Sequence, residues 1–335
     1  MNIIIPMAGM GKRMRPHTLT TAKPLIPVAG KPIVQRLVED IVATSNEKVE
    51  EIAFIIGPSF GKEVEAQLLQ TAETLGAKGR ICYQESPLGT AHAILCAADA
   101  LEGNVFIAFA DTLFDATFSI DTTKDAIIWT QKVADPSAFG VVKLRENNEI
   151  EAFVEKPTEF VSDLAIIGVY YFRDGAGLKK ELQRLIDNNI MIKGEYQITD
   201  AMDHMLQHGV KFYTDQVSEW LDCGNKDATL YTNERILELK KNKEQLRDPS
   251  ATIEHSVIIE PCYIGKGVSI SNSVIGPYVS LEAGVSVSNS VISNSIIQCD
   301  SDVKNACIEK SMLGKNVSYA NKPDELSLGD FSTQL

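Results

Sequence analysis

The chain has 335 residues, of which 44% are hydrophobic and 23% charged, a composition that suits a globular protein long enough for two domains. Its net charge of −13 argues against a nucleic-acid partner, because such an interface needs a basic footprint. The chain has neither an apolar run of about 20 residues nor a signal-peptide pattern, so we expect a cytoplasmic protein with no membrane partner.

The first 225 residues alternate strand-like and helix-like segments. Apolar runs at 2–6, 51–57, 80–83 and 104–111 predict buried strands, and apolar residues at helical spacing predict helices at 33–42, 60–75 and 90–100. This alternation predicts an α/β fold with a Rossmann-like, mostly parallel mixed sheet. Such sheets bind ligands beyond the carboxyl ends of their strands, where the glycine loop after residue 6, Gln84 and Asp111 fall.

The stretch from 127 to 220 is less regular, with hairpin-like pieces around 141–144 and 149–155 and a further strand at 164–172. A charged helix follows at 225–247. We interpret residues 226–249 as a connector, although a peripheral helix of the first domain fits the pattern almost as well.

After Pro249 the sequence pattern changes, because aliphatic residues recur every five or six positions. This short period is typical of a hexapeptide-repeat left-handed β-helix, here with about four coils. The recurring positions are Ile258, Ile264, Ile270, Ile275, Leu281, Val287, Ile292, Ile297, Val303, Ile308, Leu313 and Tyr319. The predicted domains are therefore 1–225, the connecting helix 226–249, the β-helix 250–320 and a polar tail 321–335. Coils with open ends usually stack or pair, so we expect a homo-oligomer formed partly through the β-helix.

The loop after the first strand carries the sequence Met-Ala-Gly-Met-Gly-Lys-Arg-Met at positions 7–14. Glycines let backbone N–H groups approach an anion closely, and an arginine fork suits phosphate oxygens. Two common phosphate loops do not fit the spacing. The dinucleotide fingerprint needs glycine where Met14 stands, and the P-loop needs glycine where Pro6 stands.

The 7–14 loop, followed by Thr-Ala-Lys-Pro-Leu-Ile-Pro-Val at 21–28, resembles the signature of the sugar-1-phosphate nucleotidylyltransferases. The chain departs from that signature at Lys12, where the family usually has threonine. Later segments also resemble this family: Gln-Glu-Ser-Pro-Leu-Gly-Thr-Ala at 84–91, Glu-Lys-Pro at 155–157, Gly-Glu-Tyr-Gln-Ile-Thr-Asp at 194–200 and Trp-Leu-Asp-Cys-Gly at 220–224. The resemblance implies dTTP or UTP and glucose 1-phosphate as substrates.

The resemblance implies roles for particular residues. Those implied for the nucleotide are Met7, Ala8, Gly9, Gly11, Lys12, Arg13, Gln84, Pro87, Gly89, Thr90 and Asp111. Those implied for the sugar phosphate are Lys23, Gly140, Glu155, Lys156, Gly168, Tyr170, Glu195 and Trp220. Arg13, Lys23, Asp111 and Asp222 would be catalytic, and the two aspartates would hold Mg²⁺, the expected cofactor.

The expected reaction joins a nucleoside triphosphate to a sugar 1-phosphate and releases pyrophosphate. The attacking phosphate oxygen is already ionised at neutral pH, so catalysis reduces to positioning and charge neutralisation. The side chain of Gln84 offers both a donor and an acceptor, which favours a pyrimidine base. Specificity for GTP and mannose 1-phosphate stays open, because family members of that kind have similar loops.

Two further functions remain as alternatives. A hexapeptide-repeat β-helix also occurs in acyltransferases, which would make the chain bifunctional, but such enzymes generally need a histidine on the coils. Only His255 follows residue 208, at the start of the predicted β-helix. The second alternative is a non-catalytic regulator that binds sugar nucleotides. The presence of Arg13, Lys23, Asp111 and Asp222 together argues against it.

Overall fold

The computed structural model describes residues 1–9, 11–115, 120–322, 325, 327, 330 and 331. The chain divides into two compact units. The first comprises Met1–Ile26 and Lys31–Asn225, and the second comprises Pro27–Gly30 and Lys226–Leu335. No local sequence pattern indicates that Pro27–Gly30 belongs with the second unit. The predicted domain boundaries stay predictions.

The first unit is an α/β structure. Its strands are β1 Asn2–Pro6, β3 Lys31–Pro32, β4 Glu51–Ile56, β5 Lys78–Tyr83, β6 Val105–Ala108, β7 Thr112–Phe114, β8 Ala126–Lys132, β9 Gly140–Leu144, β10 Ile150–Glu155, β11 Leu164–Phe172, β12 Phe212–Gln216 and β13 Trp220–Asp222. Its α-helices are α1 Ile33–Thr44, α2 Lys62–Thr74, α3 Thr90–Leu95, α4 Gly175–Asp187 and α5 Ile198–Gln207. The strand β2, Pro27–Val28, falls in the second unit.

One mixed sheet runs in the order β10-β9-β11-β6-β1-β4-β5, with β8 beside β11 and β12 beside β8. Strands β6, β1, β4 and β5 are parallel neighbours, whereas β11 runs antiparallel to β6. The predicted α/β fold with a mostly parallel mixed sheet is confirmed. Strands β1, β4 and β6 are largely apolar because helices cover both faces of such sheets, and Ile3, Ile4 and Ile5 are fully buried. The edge strand β5 is less apolar and includes Lys78 and Arg80.

Several predicted elements have different bounds in the structure. The helix predicted at 90–100 ends at Leu95, and a separate 3₁₀ turn spans Ala98–Ala100. The strand predicted at 104–111 covers only Val105–Ala108. Apolar periodicity marks the core-facing residues of a segment but not the residue at which its hydrogen bonding stops.

The second unit is a helix and a stack of parallel coils. The helix α6 spans Lys226–Lys240. The coils contain β14 Thr252–Glu254, β15 Val257–Ile258, β16 Tyr263–Ile264, β17 Ser269–Ser271, β18 Val274–Ile275, β19 Ser280–Leu281, β20 Ser286–Ser288, β21 Val291–Ser293, β22 Ile296–Ile297, β23 Asp302–Lys304, β24 Cys307–Glu309, β25 Met312–Leu313 and β26 Ser318–Ala320. Each of these strands pairs in parallel with the strand three positions further along the series, which lies one coil later. This pairing forms three sheets.

These three parallel sheets confirm the predicted β-helix. Its core contains most of the recurring aliphatic residues, and Ile264, Ile275, Leu281 and Ile297 are fully buried. Tyr319 is an exception, because it pairs with Val303 in register but is 40% exposed. It lies on the last described strand of its sheet, so no further coil covers it. None of the described helices combines the length and the apolar character that a membrane span requires.

Candidate active site

A cavity of about 240 Å³ lies beyond the carboxyl ends of the parallel strands in the first unit. The chain leaves β1 through Met7 and Gly9, leaves β6 through Phe109, and reaches Gln84 directly after β5. Because the carboxyl ends of parallel strands meet at one sheet edge, these three loops converge there. The lining comprises Pro6, Met7, Ala8, Gly9, Lys23, Pro24, Gln84, Pro87, Gly89, Thr90, Ala93, Phe109, Ala110, Asp111 and Glu195.

The amide of Gln84 is oriented by two neighbours. Its Nε2 donates to the carbonyl oxygen of Gly89 at 3.2 Å and lies 3.1 Å from Nδ1 of His92. Partial burial lowers the pKa of His92, so this ring is neutral at pH 7 and its Nδ1 can accept the hydrogen bond. Both contacts use the nitrogen end of the amide, so the side chain offers the cavity its oxygen, an acceptor.

Gly89 allows the backbones of two loops to come into direct contact. Its φ is +110°, and a Cβ there would lie only 2.4 Å from the carbonyl oxygen of Tyr196. The amide N–H of Tyr196 donates to Leu88 at 2.8 Å, and that of Ala91 donates to Tyr196 at 2.9 Å. Any side chain at position 89 would separate the loops, so glycine is required here.

A second contact between the same loops involves the hydroxyl of Thr90. It donates to Oε1 of Gln197 at 3.1 Å and accepts from the backbone N–H of Ile198 at 3.0 Å. Nε2 of Gln197 donates to the carboxylate of Glu195 at 2.8 Å. This chain of hydrogen bonds fixes the carboxylate of Glu195, which lines the cavity.

Charged groups meet at one end of the cavity. Nζ of Lys23 lies 2.6 Å from Oδ2 of Asp111, which follows β6. The pairing of β7 with β13 places Asp222 opposite Thr112, one residue beyond Asp111. The N–H of Cys223 donates to the carbonyl oxygen of Asp111 at 2.9 Å, which ties the two aspartate segments together.

The two carboxylates influence each other electrostatically. Burial, and then the negative charge of Asp111, raise the pKa of Asp222, whereas Lys23 and Arg13 act in the opposite direction. A like-charge pair of this kind is relieved by a cation. Among the described residues, no group of three or more histidine, cysteine, aspartate or glutamate side chains forms a metal site. Two carboxylates alone suit Mg²⁺, which commonly takes its remaining ligands from substrate phosphates and water.

Arg13 joins this cluster from the glycine loop. A Cβ at Gly224 would lie 3.0 Å from Nη2 of Arg13 and 3.0 Å from both carboxylate oxygens of Asp222. The N–H of Gly224 donates to Oδ1 of Asp222 at 3.0 Å. The absence of a side chain at position 224 therefore leaves the space that the guanidinium and the carboxylate occupy.

A second cavity, of about 250 Å³, adjoins the first. The two share Thr90, Phe109 and Asp111 in their linings. The second cavity is lined by Arg13, Thr90, Phe109, Asp111, Thr112, Ala138, Phe139, Gly140, Glu155, Lys156, Ile166, Ile167, Gly168, Tyr170, Gln197, Ile198, Thr199, Trp220 and Asp222. Asp111 therefore borders both cavities.

The Glu155 and Lys156 pair borders the second cavity. Nζ of Lys156 lies 3.5 Å from Oε1 of Glu155, and the hydroxyl of Thr199 donates to Oε2 of Glu155 at 3.4 Å. A Cβ at Gly140 would lie 2.9 Å from Oε2 of Glu155, so glycine there leaves room for the carboxylate. Lys156 has a φ of 45°, a strained conformation for a residue with a side chain.

Most of the site residues expected from the sequence line one of the two cavities. Gly11 and Lys12 are exceptions. The Cβ of Lys23 would lie 2.8 Å from a Cβ at Gly11, so this glycine makes room for Lys23 instead. Lys12 is exposed. Arg13 lines the second cavity and not the first, and Glu195 lines the first and not the second.

Some lining residues were not anticipated. Gln197 is 8% exposed, and the side chains of Phe139 and Trp220 are in edge-on contact, with ring centroids 5.5 Å apart. Nε1 of Trp220 is buried without a hydrogen-bond partner among the described residues. The signal for Gln197 was present, since it lies inside the 194–200 segment. Phe139 directly precedes Gly140, a residue expected at the sugar phosphate, but an aromatic residue in a loop is uninformative by itself.

Comparison with known proteins identifies the family. The sequence profile of the nucleotidyl transferases matches residues 2–238. The chain belongs to the nucleotidyl transferase family. Glucose-1-phosphate thymidylyltransferases are similar over 99% of this chain and 98% of their own length, at 28% identity for the Streptomyces griseus protein and 30% for that of Streptomyces antibioticus. A solved structure of UDP-glucose pyrophosphorylase with UDP-glucose is similar with a TM-score of 0.58 and 22% identity. The match covers 71% of this chain and 98% of that one.

The assignment makes the chain a nucleotidyltransferase enzyme. The matched region contains both cavities and every residue named above as lining them. The likeness to the solved structure bears on the fold alone. The β-helix, which begins after the matched region, lies within the part of the chain that the Streptomyces proteins also cover.

Proposed function

We propose that this nucleotidyltransferase transfers a nucleoside monophosphate from dTTP or UTP to glucose 1-phosphate, releasing pyrophosphate and forming a nucleoside-diphosphate sugar. The observation that carries the proposal is the pair of adjoining cavities with Asp111 in both linings. A transfer between two substrates needs two subsites whose reacting groups meet. Lys23, Arg13 and Asp222 surround that meeting point. The substrate assignment also draws on the similarity to the Streptomyces enzymes.

In this mechanism a phosphate oxygen of the sugar phosphate attacks the α-phosphorus of the triphosphate, and the bond to the β-phosphate oxygen breaks. The attacking oxygen already carries a negative charge at neutral pH, so no general base is required. The enzyme's contribution is to align the two phosphates and to offset their charge. We assign Arg13 to the α- and β-phosphates and Lys23 to the α-phosphate and the sugar phosphate.

Asp111 and Asp222 would hold Mg²⁺, and this ion would supply charge neutralisation at the phosphates. In the free protein, Nζ of Lys23 lies 2.6 Å from Oδ2 of Asp111. The lysine and the aspartate thus balance each other's charge when no substrate is bound. Phosphate oxygens give Lys23 an alternative anionic partner.

The choice of base depends on Gln84. Its amide oxygen is the group left for the ligand, since Nε2 contacts Gly89 and His92. An acceptor pairs with the imide N–H of thymine or uracil, whereas cytosine and adenine present an acceptor of their own at the equivalent edge. Guanine also carries a ring N–H there, so GTP, with mannose 1-phosphate, is the second candidate.

On the sugar side, Glu155, Lys156 and Gly140 line the second cavity together with Gly168, Tyr170 and Trp220. We assign the carboxylate of Glu155 to sugar hydroxyls and Lys156 to the sugar phosphate. Carboxylate–hydroxyl hydrogen bonds are stronger than neutral ones, so this side chain would distinguish sugars by their hydroxyl positions.

The test is a matrix of nucleoside triphosphates against sugar 1-phosphates, with Mg²⁺ present, read by released pyrophosphate. We expect the highest kcat/KM for dTTP or UTP with glucose 1-phosphate. Fastest release from GTP with mannose 1-phosphate would transfer the assignment to the second candidate. An acetyl-CoA assay with amino-sugar phosphates tests the alternative of acyl transfer. Nucleotide binding without pyrophosphate release would favour the alternative of a non-catalytic regulator.

The expected homo-oligomer stays a prediction. Tyr319, on the last strand β26, is 40% exposed, which is consistent with a coil end that another surface covers. Light scattering at micromolar concentration should give at least the mass of a dimer. A monomeric mass would count against assembly through the β-helix.

A further inference from the structure

The short turn at Pro27–Gly30 belongs to the second unit, although the chain on both sides of it belongs to the first. Val28 and Ala29 are buried. The φ angles of Ala29 and Gly30 are +47° and +87°, and two successive positive φ angles are typical of a tight type I′ turn. This conformation is unfavourable for alanine, so the contacts around the turn must hold it in place.

The side chain of Asn233 holds this turn. The backbone N–H of Ala29 donates to Oδ1 of Asn233 at 3.0 Å. Asn233 lies on α6 and is fully buried. The same oxygen accepts a hydrogen bond from the hydroxyl of Ser280 at 2.7 Å, and Nδ2 donates to the carbonyl oxygen of Tyr278 at 3.2 Å. One buried amide therefore connects the turn to a coil of the β-helix.

A second contact fixes the other half of the turn. A Cβ at Gly30 would lie 2.2 Å from two ring carbons of Tyr263, which is on strand β16. The backbone at Gly30 thus packs directly against the face of this ring, and any side chain there would push the two apart. The position of the turn is set by α6 and the coils, not by its own sequence.

Little slack separates this turn from Lys23, which precedes Pro27 by four residues. Pro24 and Pro27 fix their own φ angles, and the N–H of Ile26 donates to the carbonyl oxygen of Lys23 at 3.0 Å. Ile26 is fully buried, and its carbonyl oxygen accepts from the N–H of Ile33 at 3.1 Å. A shift of the turn would therefore reach the backbone of Lys23.

The position of Lys23 is important for the proposed reaction. Its Nζ lies 2.6 Å from Oδ2 of Asp111, and the proposed mechanism assigns it to the α-phosphate and the sugar phosphate. When catalysis depends on alignment, a misplacement of about 1 Å can cost roughly 10²-fold in rate.

We propose that Asn233 is a positioning residue for nucleotidyl transfer. By holding the N–H of Ala29, it fixes the backbone that presents Lys23 to the phosphates. Asn233 lines neither cavity, so it acts through Lys23 and not on a substrate. The inference rests on the proposed function, because the role of Lys23 belongs to that proposal. It gives the second unit a part in catalysis besides assembly.

The test is a double-mutant cycle in the full-length protein. It measures kcat by pyrophosphate release, with Mg²⁺ and the most active pair of triphosphate and sugar 1-phosphate. Lys23→Ala should lower kcat by roughly 10²–10³, and Asn233→Ala should lower it about tenfold. In the Lys23→Ala background, Asn233→Ala should change kcat by less than about twofold, because two residues that act through one group are not additive. A general loss of folding would instead multiply the two effects.

Two further variants accompany the cycle, with thermal unfolding measured for each. Ser280→Ala is the matched control, because it removes the other donor to Oδ1 of Asn233 and leaves the hydrogen bond from Ala29. It should keep the parent kcat. Gly30→Ala displaces the same turn without removing a buried polar group. It should also lower kcat about tenfold, and again only when Lys23 is present.

The possible failures can be distinguished. If Lys23→Ala lowers kcat while both Asn233→Ala and Gly30→Ala keep the parent value, the inference is overturned and the proposed function stands. The inference is also overturned if the losses of Asn233→Ala and Lys23→Ala multiply in the double variant. A parent kcat in Lys23→Ala would overturn the role assigned to Lys23 and this inference with it.

Discussion

Gly9 offers a test that separates ligand binding from folding. No described heavy atom outside the neighbouring residues lies within 4 Å of a Cβ built at Gly9, and its φ does not lie in the left-handed range. Alanine therefore fits the free protein. Since Gly9 lines the first cavity, the added methyl group would point at space that the proposed mechanism gives to the triphosphate.

The expected effect on stability concerns the free protein, and the expected effect on kcat/KM concerns the complex with the triphosphate. In the free protein, Gly9→Ala should leave stability unchanged or raise it by about 0.4–1 kcal/mol, because alanine restricts the unfolded chain. In the complex, the methyl group would prevent one backbone N–H from reaching a phosphate oxygen. A hydrogen bond to a charged group contributes about 1.5–3 kcal/mol, so kcat/KM for the nucleotide should fall by roughly 10- to 150-fold.

The assay measures kcat/KM for the triphosphate from pyrophosphate release, together with thermal unfolding. Gly314→Ala is the matched control, because a Cβ at Gly314 also has no described atom within 4 Å and this glycine lines neither cavity. It should leave kcat/KM unchanged and affect stability in the same way as Gly9→Ala. A Gly9→Ala enzyme with the parent kcat/KM would refute the reasoning that phosphates approach the backbone here.

Three further predictions concern the charged groups. Arg13→Ala should lower kcat by roughly 10²–10³, as for loss of one charge-stabilising donor, and an unchanged kcat in steady-state assays would remove Arg13 from the mechanism. Glu155→Gln should raise KM for the sugar phosphate about tenfold through loss of charge-assisted hydrogen bonds, with KM for the triphosphate little changed; the reverse pattern would assign Glu155 to the nucleotide. Chelation by EDTA should stop pyrophosphate release, and Mg²⁺ should restore it with a half-saturating concentration about tenfold higher in Asp222→Asn. Full activity in EDTA would exclude the proposed metal role.

The general architecture was predictable because it depends on local periodicity. Buried parallel strands are short apolar runs, and the coils of the β-helix repeat an aliphatic residue every five or six positions. Where an element ends was less predictable, as the early end of α3 at Leu95 shows. The assignment of Pro27–Gly30 to the second unit had no local signal, since contacts between distant segments determine it.

The candidate site was predictable where a motif follows a strand. Gln84 and Asp111 lie where parallel strands end, so sequence order was enough to bring them together. The ion pair of Lys23 with Asp111 joins residues 88 positions apart, and no local pattern encodes it. The same holds for the hydrogen bond between Thr90 and Gln197, which links the two loops across the cavities.

The central claim is that the two adjoining cavities hold a nucleoside triphosphate and a sugar 1-phosphate, with Asp111 between them. The most direct measurement is pyrophosphate release by the full-length protein with dTTP, glucose 1-phosphate and Mg²⁺, compared with the same mixture without the sugar phosphate. We expect release only when both substrates are present. No release from any pairing of triphosphate and sugar 1-phosphate would contradict the claim.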